Sequence, residues 1–118
     1  MAGRLTTHVL DTARGVPGAG IALALYRLGG ADRQPIRRAI TNANGRTDAP
    51  LLEGDAFTAG GYELVFATAA YFRAQGVPVA DPPFLDEIVL RFAIADPGAH
   101  YHVPLLVSPW SYATYRGS

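Results

Sequence analysis

The chain has 118 residues, of which 49% are apolar and 17% are charged, a balance typical of folded globular proteins. This length suits one domain and is too short for two units that each bury a core. Ten basic residues balance ten acidic ones, so the chain lacks the positive field that attracts nucleic acids and anionic lipids. We therefore expect one domain with no nucleic-acid partner and no membrane partner.

The sequence also limits the location of the protein and the chemistry that it performs. No apolar run approaches the roughly 20 residues that span a bilayer, and residues 1–14 lack the basic and apolar regions of a signal peptide. We expect a cytoplasmic protein. The absence of cysteine excludes disulfides, thiolate nucleophiles and cysteine-ligated metals. The low charge content suggests an oligomer that buries some apolar surface between subunits.

Short apolar stretches separated by turn signals run along the chain, which is the pattern of an all-β sandwich or barrel. A short helix is expected only at residues 69–75, with Gly76 as its stop. The predicted strands, in chain order, are residues 5–10, 21–28, 36–41, 62–68, 87–94, 101–107 and 111–116. The chain shows no internal repeat and no linker between domains.

Strict alternation along two predicted strands turns two histidines away from the core. In the first strand it buries Leu5 and Val9 and turns His8 outward. In residues 101–107 it turns His102 outward, together with apolar neighbours. Histidines and apolar side chains on one outward face are unusual for a monomer, so we expect a subunit interface near them.

Each candidate residue also has a simple structural interpretation. A single histidine on a strand, such as His8 or His102, is usually a surface histidine. Arg46 follows a turn and reads, by itself, as a solvated side chain, and residues 115–118 read as a frayed terminus. For residues 111–116 the alternation does not decide which face is outward.

A zinc site is a second interpretation of the histidines. His100 and His102 are two residues apart, so they point to the same side of a strand and could chelate zinc together with His8. The only acidic residue near them is Asp96, across a turn. We favour a site without metal or cofactor, in which His100 is a surface residue or supports its neighbours.

Four motifs span the chain in order. They are LTTHVLD at residues 5–11, NGRT at 44–47, HYHVPLL at 100–106 followed by Ser108 and Pro109, and YRGS at 115–118. Together they resemble the motifs of the 5-hydroxyisourate hydrolases of the transthyretin-related family. The C-terminal YRGS carries the most weight, because the transthyretin hormone carriers share the sandwich but lack this tetrapeptide, the two histidines and the arginine.

The resemblance implies that residues 1–118 form a single transthyretin-like hydrolase domain, an all-β sandwich of two sheets with one short helix. It implies a cofactor-free homotetramer with its sites at the dimer–dimer interface. The implied reaction is hydrolysis of 5-hydroxyisourate to 2-oxo-4-hydroxy-4-carboxy-5-ureidoimidazoline in urate and purine breakdown. The alternative is a transthyretin-like small-molecule carrier without catalysis; a metal hydrolase ranks third, and a structural interaction domain ranks last.

The resemblance also assigns site residues. Catalysis would use His8, Arg46, His102 and Ser118, and substrate binding would use His8, Arg46, Tyr115, Arg116 and Gly117. We assign His102 as the general base and His8 as its partner, although the residue types alone do not rank the two. Arg46 would orient the substrate and stabilise an oxyanion, and the Ser118 α-carboxylate would fix the tautomer of an imidazole.

Overall fold

The structure, a computed structural model, describes residues 3–30 and 33–117. Nearly half of the described residues lie in the strands of two β-sheets, and there is one helix, α1, at Thr68–Ala74. The strands are β1 Arg4–Asp11, β2 Val16–Pro17, β3 Ala22–Arg27, β4 Pro35–Ile40, β5 Leu52–Glu53, β6 Gly60–Phe66, β7 Ile88–Ile94, β8 His100–Ser108 and β9 Ser111–Thr114. A single 3-10 turn at Gly54–Ala56 follows β5.

The first sheet contains strands from the N-terminal and C-terminal parts of the chain. Its strand order is β2-β1-β8-β9, and β5 pairs with β1. Strands β1 and β8 run parallel, with Thr6 opposite His102 and His8 opposite Pro104. A parallel pair needs a long crossover connection, and here the crossover includes the whole second sheet.

The second sheet has the order β4-β3-β6-β7 and is antiparallel throughout. Helix α1 follows β6, and its Tyr71 and Phe72 are buried. Each sheet has one apolar face. The two sheets pack with these faces together, which removes them from water and forms a sandwich.

The core contains side chains from both sheets. Leu5, Val9 and Leu105 of the first sheet and Leu25 and Leu64 of the second are completely inaccessible to solvent. Each such side chain contributes roughly 1.5–3 kcal/mol relative to leaving it exposed. Burial of these side chains fixes which face of β1 and β8 points inward. The alternate residues of both strands therefore face outward.

The predicted fold class, an all-β two-sheet sandwich with one short helix, is confirmed. The seven predicted strands are present, with ends shifted by one or two residues. The predicted final strand at 111–116 ends at Thr114 instead. The two-residue strands β2 and β5 were not predicted, because two residues are too few to show an alternation.

No helix among residues 3–30 and 33–117 has the length and apolar character needed to cross a membrane.

Candidate active site

The parallel register of β1 and β8 brings the outward histidines together. Thr6 lies opposite His102, and His8 is two residues further along β1 on the same face. Both histidines are half-buried, and their ring centroids are 6.5 Å apart. The ring of His100 lies 6.2 Å from that of His102. All three histidines of the chain thus lie in one row across two neighbouring strands.

A tight turn brings Arg46 beside His8. Gly45 has a φ of +76°, and a Cβ there would clash with the carbonyl oxygen of Val9. The Val9 N–H donates to the Gly45 carbonyl oxygen over 2.8 Å, and Arg46 forms a β-bridge with His8. The side-chain oxygen of Asn42 accepts hydrogen bonds from within the turn, including one from the Arg46 N–H at 3.2 Å. Glycine at position 45 is therefore required for Arg46 to reach the site.

The C-terminal segment approaches the same histidines from the other side. The Gly117 N–H donates to the His102 carbonyl oxygen over 2.7 Å. Tyr115 is exposed, whereas the Arg116 guanidinium carbon lies 4.0 Å from the ring centroid of Tyr101, a cation–π contact. The predicted catalytic residue Ser118 lies outside the described residues.

These elements surround an open cleft of about 440 Å³. Its lining residues are Arg4, Thr6, Thr7, Arg46, Thr47, Asp48, Ala49, Pro50, His100 and His102. A shallower depression next to it is lined by His100, His102 and residues 115–117. Two arginines and one aspartate give the cleft a positive balance, which suits an electron-rich heterocycle rather than a cation.

The electrostatic environment keeps the histidines neutral. Burial lowers the pKa of His8, the nearby Arg46 guanidinium lowers it further, and a backbone hydrogen bond with Asn44 acts in the opposite direction. Burial also lowers the pKa of His102, and the neighbouring Arg46, His100 and His8 add to this effect. At pH 7 both rings are therefore able to accept a proton.

Thr6 is a site residue that the sequence did not single out. Its hydroxyl oxygen lies 2.8 Å from the Nε2 of His100 and 2.8 Å from the Nδ1 of His102. Alternation along β1 does place Thr6 on the same face as His8. Its link to His102 depends on the pairing of β1 with β8, which no local pattern reveals.

A zinc site is the alternative interpretation of the three histidines. Within the described ranges 3–30 and 33–117, no group of three or more histidine, aspartate or glutamate side chains has a spacing suited to a metal ion. The ring centroid of His102 lies 6.5 Å from that of His8 and 6.2 Å from that of His100.

The structure brings together His8, Arg46, His102 and Gly117, as the sequence suggested. The Arg116 guanidinium lies over the ring of Tyr101, and the Tyr115 side chain is exposed to solvent. The catalytic and binding roles assigned to these residues stay predictions.

Comparison with known proteins places the chain in a family. A model of the HIUase/Transthyretin family matches residues 5–117. A 5-hydroxyisourate hydrolase of Ralstonia nicotianae is 63% identical over 116 residues, which are 98% of this chain and 99% of that protein. The chain therefore belongs to the HIUase/Transthyretin family. This relationship confirms the resemblance drawn from the four motifs and the prediction that the chain is a hydrolase.

Two solved structures show how widely the fold is used. An (S)-allantoin synthase is 47% identical with a TM-score of 0.94; the match covers 99% of this chain but only 44% of that longer one. Sea bream transthyretin in complex with thyroxine is 31% identical with a TM-score of 0.83, covering 97% of this chain and 94% of that one. The fold alone thus does not separate an enzyme from a carrier, and the site residues must do so.

Proposed function

We propose that the chain hydrolyses 5-hydroxyisourate to 2-oxo-4-hydroxy-4-carboxy-5-ureidoimidazoline, a step of urate breakdown. The proposal rests on one observation: two neutral imidazoles, His8 and His102, lie beside the guanidinium of Arg46, and both Arg46 and His102 line one open cleft. The high identity to the Ralstonia nicotianae hydrolase supports this choice of substrate.

The reaction needs a base and an anion-stabilising group, because water attacks an amide slowly. His102 takes one proton from a water molecule, and the water oxygen bonds to the carbon of a ring carbonyl. Negative charge develops on the carbonyl oxygen, where Arg46 donates hydrogen bonds. The ring C–N bond then breaks, the nitrogen receives a proton from an imidazolium, and the new carboxyl group ionises in water. A positioned base of this kind contributes about 10²–10⁴ in rate.

The contacts of the two histidines suggest a division of labour. The Nδ1 of His102 is engaged by Thr6, so its Nε2 is the nitrogen left to act as base. His8, on the neighbouring strand, would hold the attacking water or protonate the leaving nitrogen. If the Ser118 α-carboxylate orients an imidazole, His8 is the more accessible of the two, because the Nδ1 of His102 is already hydrogen-bonded to Thr6.

The C-terminal residues would complete the binding site. Gly117 is hydrogen-bonded to His102, so the C-terminal segment reaches the imidazoles. Tyr115 would wall the pocket and hydrogen-bond to the substrate. Arg116 would contact the substrate only after leaving the ring of Tyr101, over which it is stacked.

A homotetramer with sites between its dimers is part of the proposal. On the outward face Leu10 lies opposite Leu106 in the register, next to the histidines, and both are only half-buried. On the same face, Ala113 of β9 lies opposite Leu106 in the register and is exposed. A second subunit over this face would cover the apolar side chains and close the cleft. Sedimentation should give a four-chain species; a monomer at micromolar concentration would contradict this.

The alternative is a small-molecule carrier, which the similarity to thyroxine-bound transthyretin favours. A carrier would bind an apolar ligand tightly without turnover, and it would have no use for neutral imidazoles beside a guanidinium. The discriminating experiment follows the ultraviolet absorbance of freshly generated 5-hydroxyisourate with and without the untagged chain, in the presence of a chelator. Accelerated decay that survives the chelator supports the metal-free hydrolase. No acceleration favours the carrier, and acceleration abolished by the chelator favours the metal hydrolase.

A further inference from the structure

One hydroxyl group connects two of the three histidines. Thr6 Oγ1 lies 2.8 Å from His102 Nδ1 and 2.8 Å from His100 Nε2. The geometry follows from the parallel register, in which Arg4 lies opposite His100 and Thr6 lies opposite His102. Since His100 and His102 point the same way from β8, a short side chain on β1 between them reaches both rings.

Two arrangements use the Thr6 hydroxyl hydrogen in one of these two hydrogen bonds. A threonine hydroxyl has one hydrogen to donate, and a neutral imidazole has one N–H. In the first arrangement His102 Nδ1–H donates to Thr6, and the Thr6 hydroxyl donates to His100 Nε2. In the second, the direction of both bonds is reversed, and the single hydrogen of His102 then lies on Nε2. Of these two, only the first leaves His102 Nε2 free to accept a proton from water.

The surroundings keep the first arrangement available. The second has His100 Nε2 as a donor, and of the two it is the only one that remains if His100 becomes an imidazolium. Burial and the nearby Arg4 guanidinium both lower the pKa of His100, so the ring stays neutral and able to accept. The other charged or titratable groups near His100 are Arg46, Asp48 and His102 in the cleft and Tyr115 and Arg116 in the adjoining depression. Arg46 also opposes positive charge on His8 and His102.

We propose that Thr6 and His100 are positioning residues that hold His102 with its proton on Nδ1 and its Nε2 open as the general base. The expected effect on the rate rests on the proposed hydrolase function, whereas the expected position of the proton on His102 does not. When Nε2 takes a proton from water, the resulting imidazolium keeps donating through Nδ1 to Thr6, so no hydrogen bond has to break. The role matches that of the third member of a catalytic triad, with a neutral acceptor in place of a carboxylate.

Three substitutions separate this role from a structural one. T6V replaces the hydroxyl with a methyl group of the same size, which a strand accepts readily. T6S keeps the hydroxyl. T12V is the matched control, because the hydroxyl of Thr12 donates to the Val107 carbonyl oxygen, beyond the end of β1 and away from the cleft.

We expect T6V to lower kcat about ten-fold or more with little change in KM, since the Thr6 hydroxyl is engaged by the two imidazoles and is not assigned to substrate binding. T6S should recover most of the rate, and T12V should match the wild-type protein. H100L removes the acceptor and should resemble T6V, whereas H100Q retains an amide oxygen near the position of Nε2 and should lose less.

The deciding measurement is the nitrogen-15 NMR spectrum of the His102 imidazole at neutral pH, in the wild-type protein and in T6V and H100L. The proposal predicts an Nδ1–H tautomer in the wild type and a shift towards Nε2–H in both variants. A wild-type Nε2–H tautomer, or a tautomer that neither substitution changes, overturns it. Because the NMR result does not depend on turnover, a wild-type chain with the Nδ1–H tautomer but no hydrolysis would count against the function alone.

Discussion

Gly117 is fixed against His102: its N–H donates to the His102 carbonyl oxygen over 2.7 Å, and a Cβ at this position would lie 2.8 Å from the Cδ2 atom of the His102 ring. The close approach explains why a glycine suits the position. It also couples the C-terminal segment to the orientation of the imidazole that we propose as the base.

G117A should therefore reduce kcat/KM by about ten-fold or more, because the added methyl group must push the ring or the segment aside. The fold should tolerate the change, since Gly117 lies one residue from the end of the chain. Steady-state kinetics and thermal unfolding of the same samples check this. Unchanged kinetics would show that the position of the His102 ring does not limit the rate.

A short tag after Ser118 should damage activity far more than stability. The tag removes the α-carboxylate that we expect to orient an imidazole, while the core lies elsewhere. The matched control carries the same tag before Met1. Equal rates for the two tagged proteins would count strongly against a role for the terminal carboxylate.

R46Q should raise the pKa of both His8 and His102, because the guanidinium lowers both values in the wild-type protein. Both should stay below the ordinary 6.5, since burial is the larger cause and persists. The acid limb of any residual activity should move to higher pH, because each base is then protonated at a higher pH. NMR titration of the histidine rings measures this directly.

The control for this titration is R38Q, which removes an exposed arginine of β4 on the other sheet. It should leave both histidine titrations and the hydrolysis rate unchanged. Titration curves that are identical in R46Q and R38Q would contradict the proposed proximity of Arg46 to the imidazoles.

Y71F should destabilise the protein without affecting the site. The Tyr71 hydroxyl donates to the carboxylate of buried Asp11 over 2.8 Å, and Arg14 Nε donates to the same carboxylate over 3.0 Å. Loss of one such bond to a charged group costs about 1.5–3 kcal/mol. Urea unfolding at pH 7 measures this loss, and the hydrolysis rate should not change.

The same contacts predict a pH dependence of stability. Burial acts to raise the pKa of Asp11, but the hydrogen bonds from Tyr71 and Arg14 outweigh it and the pKa lies below its ordinary value of 3.8. The stabilisation is therefore present above pH 3.8 and is lost as the pH falls through the folded-state pKa. In Y71F this acid-dependent loss should be smaller; an equal loss in both proteins would assign the effect to other groups.

Local patterns predicted much of this fold. The alternation in residues 5–10 and 101–107 identified the buried residues Leu5, Val9 and Leu105 and turned His8 and His102 outward, as observed. These signals are reliable because a one-residue error would place leucines in water and polar groups in the core.

The arrangement between strands could not be predicted in the same way. Nothing near Thr6 in sequence indicates that it lies between His100 and His102, because that contact depends on pairing with a strand more than 90 residues away. For the same reason the sequence left His100 without a role. The bridge between His8 and Arg46 is also non-local, and among the sequence signals only the family motifs suggest that the two residues meet.

The central claim is that His102 and its neighbours catalyse hydrolysis of 5-hydroxyisourate. The most direct measurement compares the initial rate of ultraviolet absorbance decay of fresh 5-hydroxyisourate with the untagged wild-type chain and with H102N at equal concentration, after circular dichroism has shown both to be folded. We predict rapid decay with the wild-type protein and a loss of about 10² or more in H102N. Equal rates for the two folded proteins, or no acceleration by the wild type, would contradict the account.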